Sequence, residues 1–379
     1  MKKVLGILIT FGLLVTPMHA LAAVKSGDTC KKAGITATAN GKKFTCVKSG
    51  KKLVWNKGIT VSGSKVSAPV GPTSFDDLEQ KYQGVAEAAW KKSGAVLNAS
   101  KSKNSQATIL IGPNTKPIYE IPQVAISQVS RMFPNYKEAK EFVLIYYNFQ
   151  DLLWAQSQFD KYIGTNGGYD TSGEAKKLCP GERSCNSASA VRNQITGVSV
   201  VLITAGPDSR NDRHFTSGAI EAHEYFHTIQ DTQLVGSPVN NGMLPRWLIE
   251  GSASFVEMAA INYDSFDKYK IAKASLLTEL FYRKEFNEQK LIQFLDAPSL
   301  GKNWSSWDSY STQRVYDIGM MVAEIMVSLK GPESLLEQNK YMASGMTYQQ
   351  AFEKVFGLLG RWRESHREGS CKADWLVKP

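Results

Sequence analysis

The chain has 379 residues, 42% of them apolar and 21% charged, which is ample for a sizeable core and excludes a wholly disordered or fibrous protein. Its formal charge of +10 is uneven: residues 24–66 hold ten lysines against the single acid Asp28, and the rest is nearly neutral. Aromatic residues are thin among those lysines, which argues against nucleic acid; the block suits an anionic cell-envelope surface such as wall polymers or lipid headgroups, and equally a solvated segment that only keeps the protein in solution.

The first residues read as a secretory signal, 1–23. Lys2 and Lys3 supply a basic start, Val4 to Val15 an apolar core, and Ala20-Leu21-Ala22 a small-residue cleavage site. The apolar run is short for a membrane span and no second one follows, so the mature protein is expected to be secreted or envelope-associated, with no transmembrane segment. The five cysteines fit an oxidising compartment: Cys30 with Cys46, Cys179 with Cys185, and Cys371 left over. Residues 24–57 alternate short strand signals with glycines (Ile35–Thr38, Lys43–Cys46, Leu53–Trp55), as in a β-hairpin or small meander stapled by a disulfide. The run Cys, Gly, Gly, Cys and then Leu-Val-Trp resembles small modules attached to secreted actinobacterial proteins. Residues 58–74 read as a linker.

From Phe75 onward helix and strand signals alternate, and 75–379 is expected to form one α+β catalytic unit. Helices are expected over Asp76–Leu97, Val124–Met132 and Leu152–Tyr162, and strands over Thr108–Ile111, Phe142–Tyr147 and Val198–Thr204. The last is the strongest strand signal in the chain. A helix follows it, with Thr216 or Ser217 placed to cap it. Residues 262–379 read as a helical lobe, broken near Pro298–Trp304.

The helix after that strand carries His223-Glu224-Tyr225-Phe226-His227, a His-Glu-x-x-His sequence. Histidines four apart lie on one helical face and can clamp a single Zn2+, one per chain, with the glutamate between them placed to act as a base. A catalytic zinc needs a third protein ligand. Downstream, Pro245 precedes Trp247-Leu248-Ile249-Glu250-Gly251-Ser252-Ala253-Ser254, and the loop from Gln233 to Leu244 turns the chain back. Glu250 is therefore the candidate third ligand, with His214 next in line. Gly251, Ser252 and Ala253 are small enough for a neighbouring helix to approach closely, and Ser254 is a candidate support for a ligand.

His-Glu-x-x-His followed by Trp-x-x-Glu-Gly-x-Ala resembles the gluzincin metallopeptidases, in particular those related to aminopeptidase N. The resemblance covers roughly residues 195–335. It implies a zincin-like mixed sheet with an active-site helix, a metal site of His223, His227 and Glu250, and a strand near Val198–Thr204 lying along the substrate cleft. It also implies that a tyrosine in a Tyr-x-x-Gly setting stabilises the oxyanion, which falls on Tyr316 of Tyr316-Asp317-Ile318-Gly319. The Gly-x-Met-Glu-Asn segment that grips a free amine in those relatives has no counterpart here, so aminopeptidase specificity does not carry over. The spacing from the second histidine to the glutamate is also longer.

Together these features predict a secreted zinc metallopeptidase acting on peptide or protein substrates, with catalytic Glu224 and Tyr316. The rivals are a non-catalytic surface-binding protein with a structural zinc, and a zinc amidase acting on cell-wall material.

Overall fold

The computed structural model of the chain describes residues 25–39, 42–60, 70–101, 106–164, 171–282 and 309–357. The segment read as a signal (1–23), Cys371 and the break expected near Pro298–Trp304 lie outside the described residues. The chain divides into two compact units, Met1–Ala68 and Pro69–Pro379.

The first unit is a small antiparallel sheet of β1 (Thr36–Ala39), β2 (Lys42–Ser49), β3 (Lys52–Trp55) and β4 (Ile59–Thr60). Strand β2 is its centre, pairing with β1 from Thr36↔Thr45 to Ala39↔Lys42 and with β3 from Cys46↔Trp55 to Ser49↔Lys52. β4 pairs with the start of β2, so the sheet continues into the stretch read from sequence as linker. Phe44 and Cys46 alternate inward along β2, and Cys46 is bonded to Cys30. All nine described lysines of this unit are exposed, and none forms an ion pair among the described residues.

The second unit is built on a four-stranded mixed sheet in the order β5–β6–β8–β7. Strands β5 (Ala107–Ile111), β6 (Glu141–Tyr147) and β8 (Val198–Thr204) run parallel, and β7 (Ala188–Arg192) pairs antiparallel with β8. The apolar runs Phe142–Tyr147 and Val200–Ile203 are buried on both faces, as central strands covered on each side must be. Phe142, Leu144, Tyr146, Val201 and Ile203 face one helical layer. Val143, Ile145, Tyr147, Val200 and Leu202 face the other, where Cys179 and Cys185 form the second disulfide.

The first layer contains α1 (Val85–Ala99), α2 (Pro122–Met132), α4 (Ala219–Gln233), α5 (Arg246–Ile261) and α7 (Ser309–Lys330); α3 (Leu152–Ile163) lies on the opposite face. Helices α6 (Phe266–Tyr282), α8 (Ser334–Ala343) and α9 (Tyr348–Phe356) complete the described C-terminal part. The unit is thus a mixed α/β fold with a mixed sheet. No helix among the described residues is long and apolar enough to cross a membrane.

Two differences from the sequence reading bear on the site. Strand β8 is interior, hydrogen-bonded to β6 on one side and β7 on the other, so its backbone has no free edge for a ligand. The edge strand beside β8 is β7, whose short polar-and-small sequence Ala-Ser-Ala-Val-Arg carries little strand signal. The helix carrying the histidines is also not capped by Thr216 or Ser217. Their hydroxyls donate back to carbonyls of the preceding turn, and Gly218 takes the cap position at φ +86°. A side chain at Gly218 would be strained there and would meet the Tyr119 ring at 2.7 Å.

Candidate metal centre

Helix α4 places His223, Glu224 and His227 against α5, and α5 places Glu250 and Glu257 opposite them. One contact sets how closely α5 meets α7. A Cβ on Gly251 would lie 2.1 Å from the backbone of Gly319, and one on Gly319 would lie 2.4 Å from the Trp247 carbonyl oxygen. With hydrogen at both positions the helices touch backbone to backbone. Tyr316, one turn before Gly319, is thereby brought beside the histidines, its ring 6.2 Å from that of His223.

The two histidine rings are oriented from behind. His223 Nδ1 lies 2.8 Å from Glu257 Oε2, and the same oxygen accepts from His214 Nε2 at 3.0 Å. His227 Nδ1 lies 2.7 Å from Gln230 Oε1. The Gln230 amide is fixed in that sense because its Nε2 donates to the Ile249 carbonyl at 3.2 Å and to Ser252 Oγ at 2.9 Å. An acceptor at each Nδ1 assigns a proton there and turns each Nε2 toward the site as the nitrogen a metal would bind, in place of the proton it carries beside Glu250. Both Nε2 atoms point at one atom, Glu250 Oε2, at 3.5 Å from His223 and 3.3 Å from His227. Donors about 2.1 Å from a tetrahedral zinc stand about 3.4 Å apart, so the separations fit such an ion. The chemistry of the set, two imidazoles and one carboxylate, is also that of a divalent-metal site. The other Glu250 oxygen is held by Arg246 at 3.1 Å.

The electrostatics agree. Burial opposes charge on His223, but the carboxylates of Glu250 and Glu257 outweigh it and hold its pKa up, at about 10. Burial likewise works against the Glu250 and Glu257 carboxylates. The surrounding histidines prevail, keeping Glu250 well below the usual range and Glu257 at about 2. Protons on the histidines stand in for the positive charge a metal would bring. Glu224 differs: burial raises its pKa, the histidines pull the other way, and its carboxylate has no hydrogen-bond partner among the described residues. It lines a cleft of about 940 Å³ together with Glu250, Tyr316 and residues of β7.

The structure therefore brings His223, His227 and Glu250 together as one group able to hold a metal ion. His214 does not join that group; with His223 and Glu257 it forms a second one behind the first. Ser254 lines the cleft, but the serine that supports a histidine of the group is Ser252, through Gln230 to His227. The Tyr316 phenol is pushed above its ordinary pKa, first by burial and then by Glu250, while a hydrogen bond with Arg246 opposes the shift. Glu257, Gln230 and Arg246 are functional neighbours that the motif alone does not single out. Their signal was present in spacing: Gln230 is three residues after His227, and Arg246 and Glu257 share the Glu250 face of α5. No family model, curated protein or solved structure matches the chain.

Proposed function

We propose that the chain is a secreted, zinc-dependent peptidase of the gluzincin type, with a zincin-like catalytic unit. The observation that carries this reading is the convergence of two histidine Nε2 atoms on Glu250 Oε2, beside an unpartnered buried glutamate in an open cleft. A zinc ion held by His223, His227 and Glu250 would supply Lewis acidity and make a water it binds acidic near neutral pH. Glu224 accepts the proton of the attacking water and returns it to the leaving nitrogen, a role its partner-free carboxylate and raised pKa both suit. Tyr316, kept protonated by burial, donates a hydrogen bond to the developing oxyanion. Glu257 and Gln230 hold the two imidazoles in the tautomer that binds metal. Among the described residues no strand pairs with the outer edge of β7, which lies along the cleft and offers its backbone to an extended peptide.

A structural zinc has no use for a free carboxylate beside it, which favours an enzyme over the surface-binding alternative. An amide in wall material is the second substrate class, but the edge strand favours a polypeptide. The two disulfides fit an oxidising compartment, in line with export by residues 1–23. The exposed, unpaired lysines of the first unit suit an anionic envelope polymer.

Metal analysis and cleavage of an unstructured protein, with and without chelator, test the reading together. One zinc per chain and chelator-sensitive cleavage are expected. Glu250→Ala should lose metal on dialysis while His214→Ala keeps it. Cleavage that survives full metal removal would sink the proposal.

A further inference from the structure

The cleft extends well beyond the metal centre. Glu250, Ser254, Glu257, Met258 and Asn262 all line it, and they recur along one side of α5 to the residue just past its end. Twelve helical positions separate Glu250 from Asn262, about 18 Å, which an extended peptide covers in roughly five residues. At that far end stands Arg213, in the short helical turn Arg213–Thr216 that leads into α4.

Arg213 is set apart from the two other arginines that line the cleft. Arg246 is paired with Glu250, and Arg314 with Asp317. Arg213 forms no ion pair among the described residues. Its Nη1 is buried without a hydrogen-bond partner, and its Nη2 has only a long 3.5 Å contact to Asn262 Oδ1. The neighbouring acid, Asp212, is turned away to accept from the His214 backbone N–H at 2.8 Å. A guanidinium nitrogen shut away from water without an acceptor is costly, and on a polypeptide the group that matches its planar fork is a carboxylate. The Asn262 amide is itself anchored, donating to the Met258 carbonyl at 2.9 Å, so it holds the guanidinium in the cleft without neutralising it.

We propose that Arg213, steadied by Asn262, is an anion-accepting subsite that selects extended substrates bearing an acidic side chain about four to five residues from the bond that is cut. The inference rests on the peptidase reading for its substrate class, and binding can test it separately from turnover. The probes are fluorescent twelve-residue peptides with a glutamate, glutamine or lysine at the fourth or fifth position on either side of the centre. Anisotropy is measured on the zinc-loaded Glu224→Gln protein. At one of those positions glutamate should bind about tenfold or more tighter than glutamine. Adding Arg213→Gln should bring that ratio near one, and Arg213→Glu should turn the preference toward lysine. Arg213→Lys keeps the charge but not the fork and should give an intermediate ratio, which guards against a variant that merely misfolds. Equal binding of all probes, or a ratio that Arg213→Gln leaves unchanged, overturns the subsite. Protein cleavage without charge selectivity would remove the subsite and leave the peptidase. Arg213-dependent binding without any cleavage would do the reverse.

Discussion

In the N-terminal unit Phe44 and Cys46 are the buried apolar side chains among the described residues, and one of the two is half of a disulfide. The larger unit buries two strands on both faces and has helices packed on each side of its sheet. A sheet of that small size cannot offset its ordering entropy by apolar burial, so the covalent link takes over much of the task. The larger unit needs no such link near its cleft: Cys179–Cys185 lies in the core on the opposite face of the sheet from the histidines. The contrast teaches that redox state should govern the first unit's fold and leave the metal centre alone. It also separates charge from chemistry, since the lysine excess sits in one unit and the converging side chains of His223, His227 and Glu250 in the other.

The largest expected effect lies in the larger unit. Glu224→Gln should lower turnover by about 10²- to 10⁴-fold while zinc content stays near one per chain, because the ligands remain and the base does not. Deleting residues 25–60 should leave that turnover in place on a small soluble peptide. Loss of cleavage on deletion would break the division between the units.

Next comes the staple. Cys30→Ser with Cys46→Ser should cost the first unit about 3 kcal/mol, the value for a loop of this size. Hydrogen exchange should rise through β1–β4 and stay unchanged in β6 and β8. Protection that persists in the first unit would mean that the small sheet holds without its disulfide.

A comparable effect is expected from Glu221, buried in the first turn of α4, where Tyr146 donates to it at 2.8 Å and its second oxygen has no partner. Burial raises its pKa from 4.5 to about 7 against the Tyr146 hydrogen bond. The native metal-free protein therefore holds a proton that the unfolded chain gives up first. Stability falls as pH rises from about 4.5 through 7, and the full cost, about 3 kcal/mol, applies above that. Glu221→Gln should flatten this part of the profile of denaturation midpoint against pH and stabilise the protein at pH 8. A wild-type profile already flat over that window would show the carboxyl to be ionised without penalty.

The smallest effects should distinguish the two histidine supports. Glu257→Ala and Gln230→Ala should each weaken zinc affinity by about 10- to 100-fold, the charged partner more than the neutral one. Competition with a coloured chelator reads the order directly, and equal losses would mean that charge on Glu257 adds nothing to orientation.

Much of this was legible before any coordinates. The four-residue spacing of His223 and His227, the apolar run of β8 and the cysteine spacing around β2 are local patterns, and helix period, strand burial and loop closure act on neighbours in the chain. The partners of those residues were not legible. Whether Glu257 meets His223 or solvent depends on the angle at which α5 crosses α4. The position of Tyr316 depends on two glycines, 251 and 319, coming within a backbone's width of each other. The edge position of β7 depends on pairing with β8, because Ala-Ser-Ala-Val-Arg has no strong preference of its own. Which side chains share a face follows from chain order, through rises of about 1.5 Å per helical and 3.3 Å per strand residue. Only the packing of whole elements decided which faces meet, because that contact energy is shared among residues far apart in the chain.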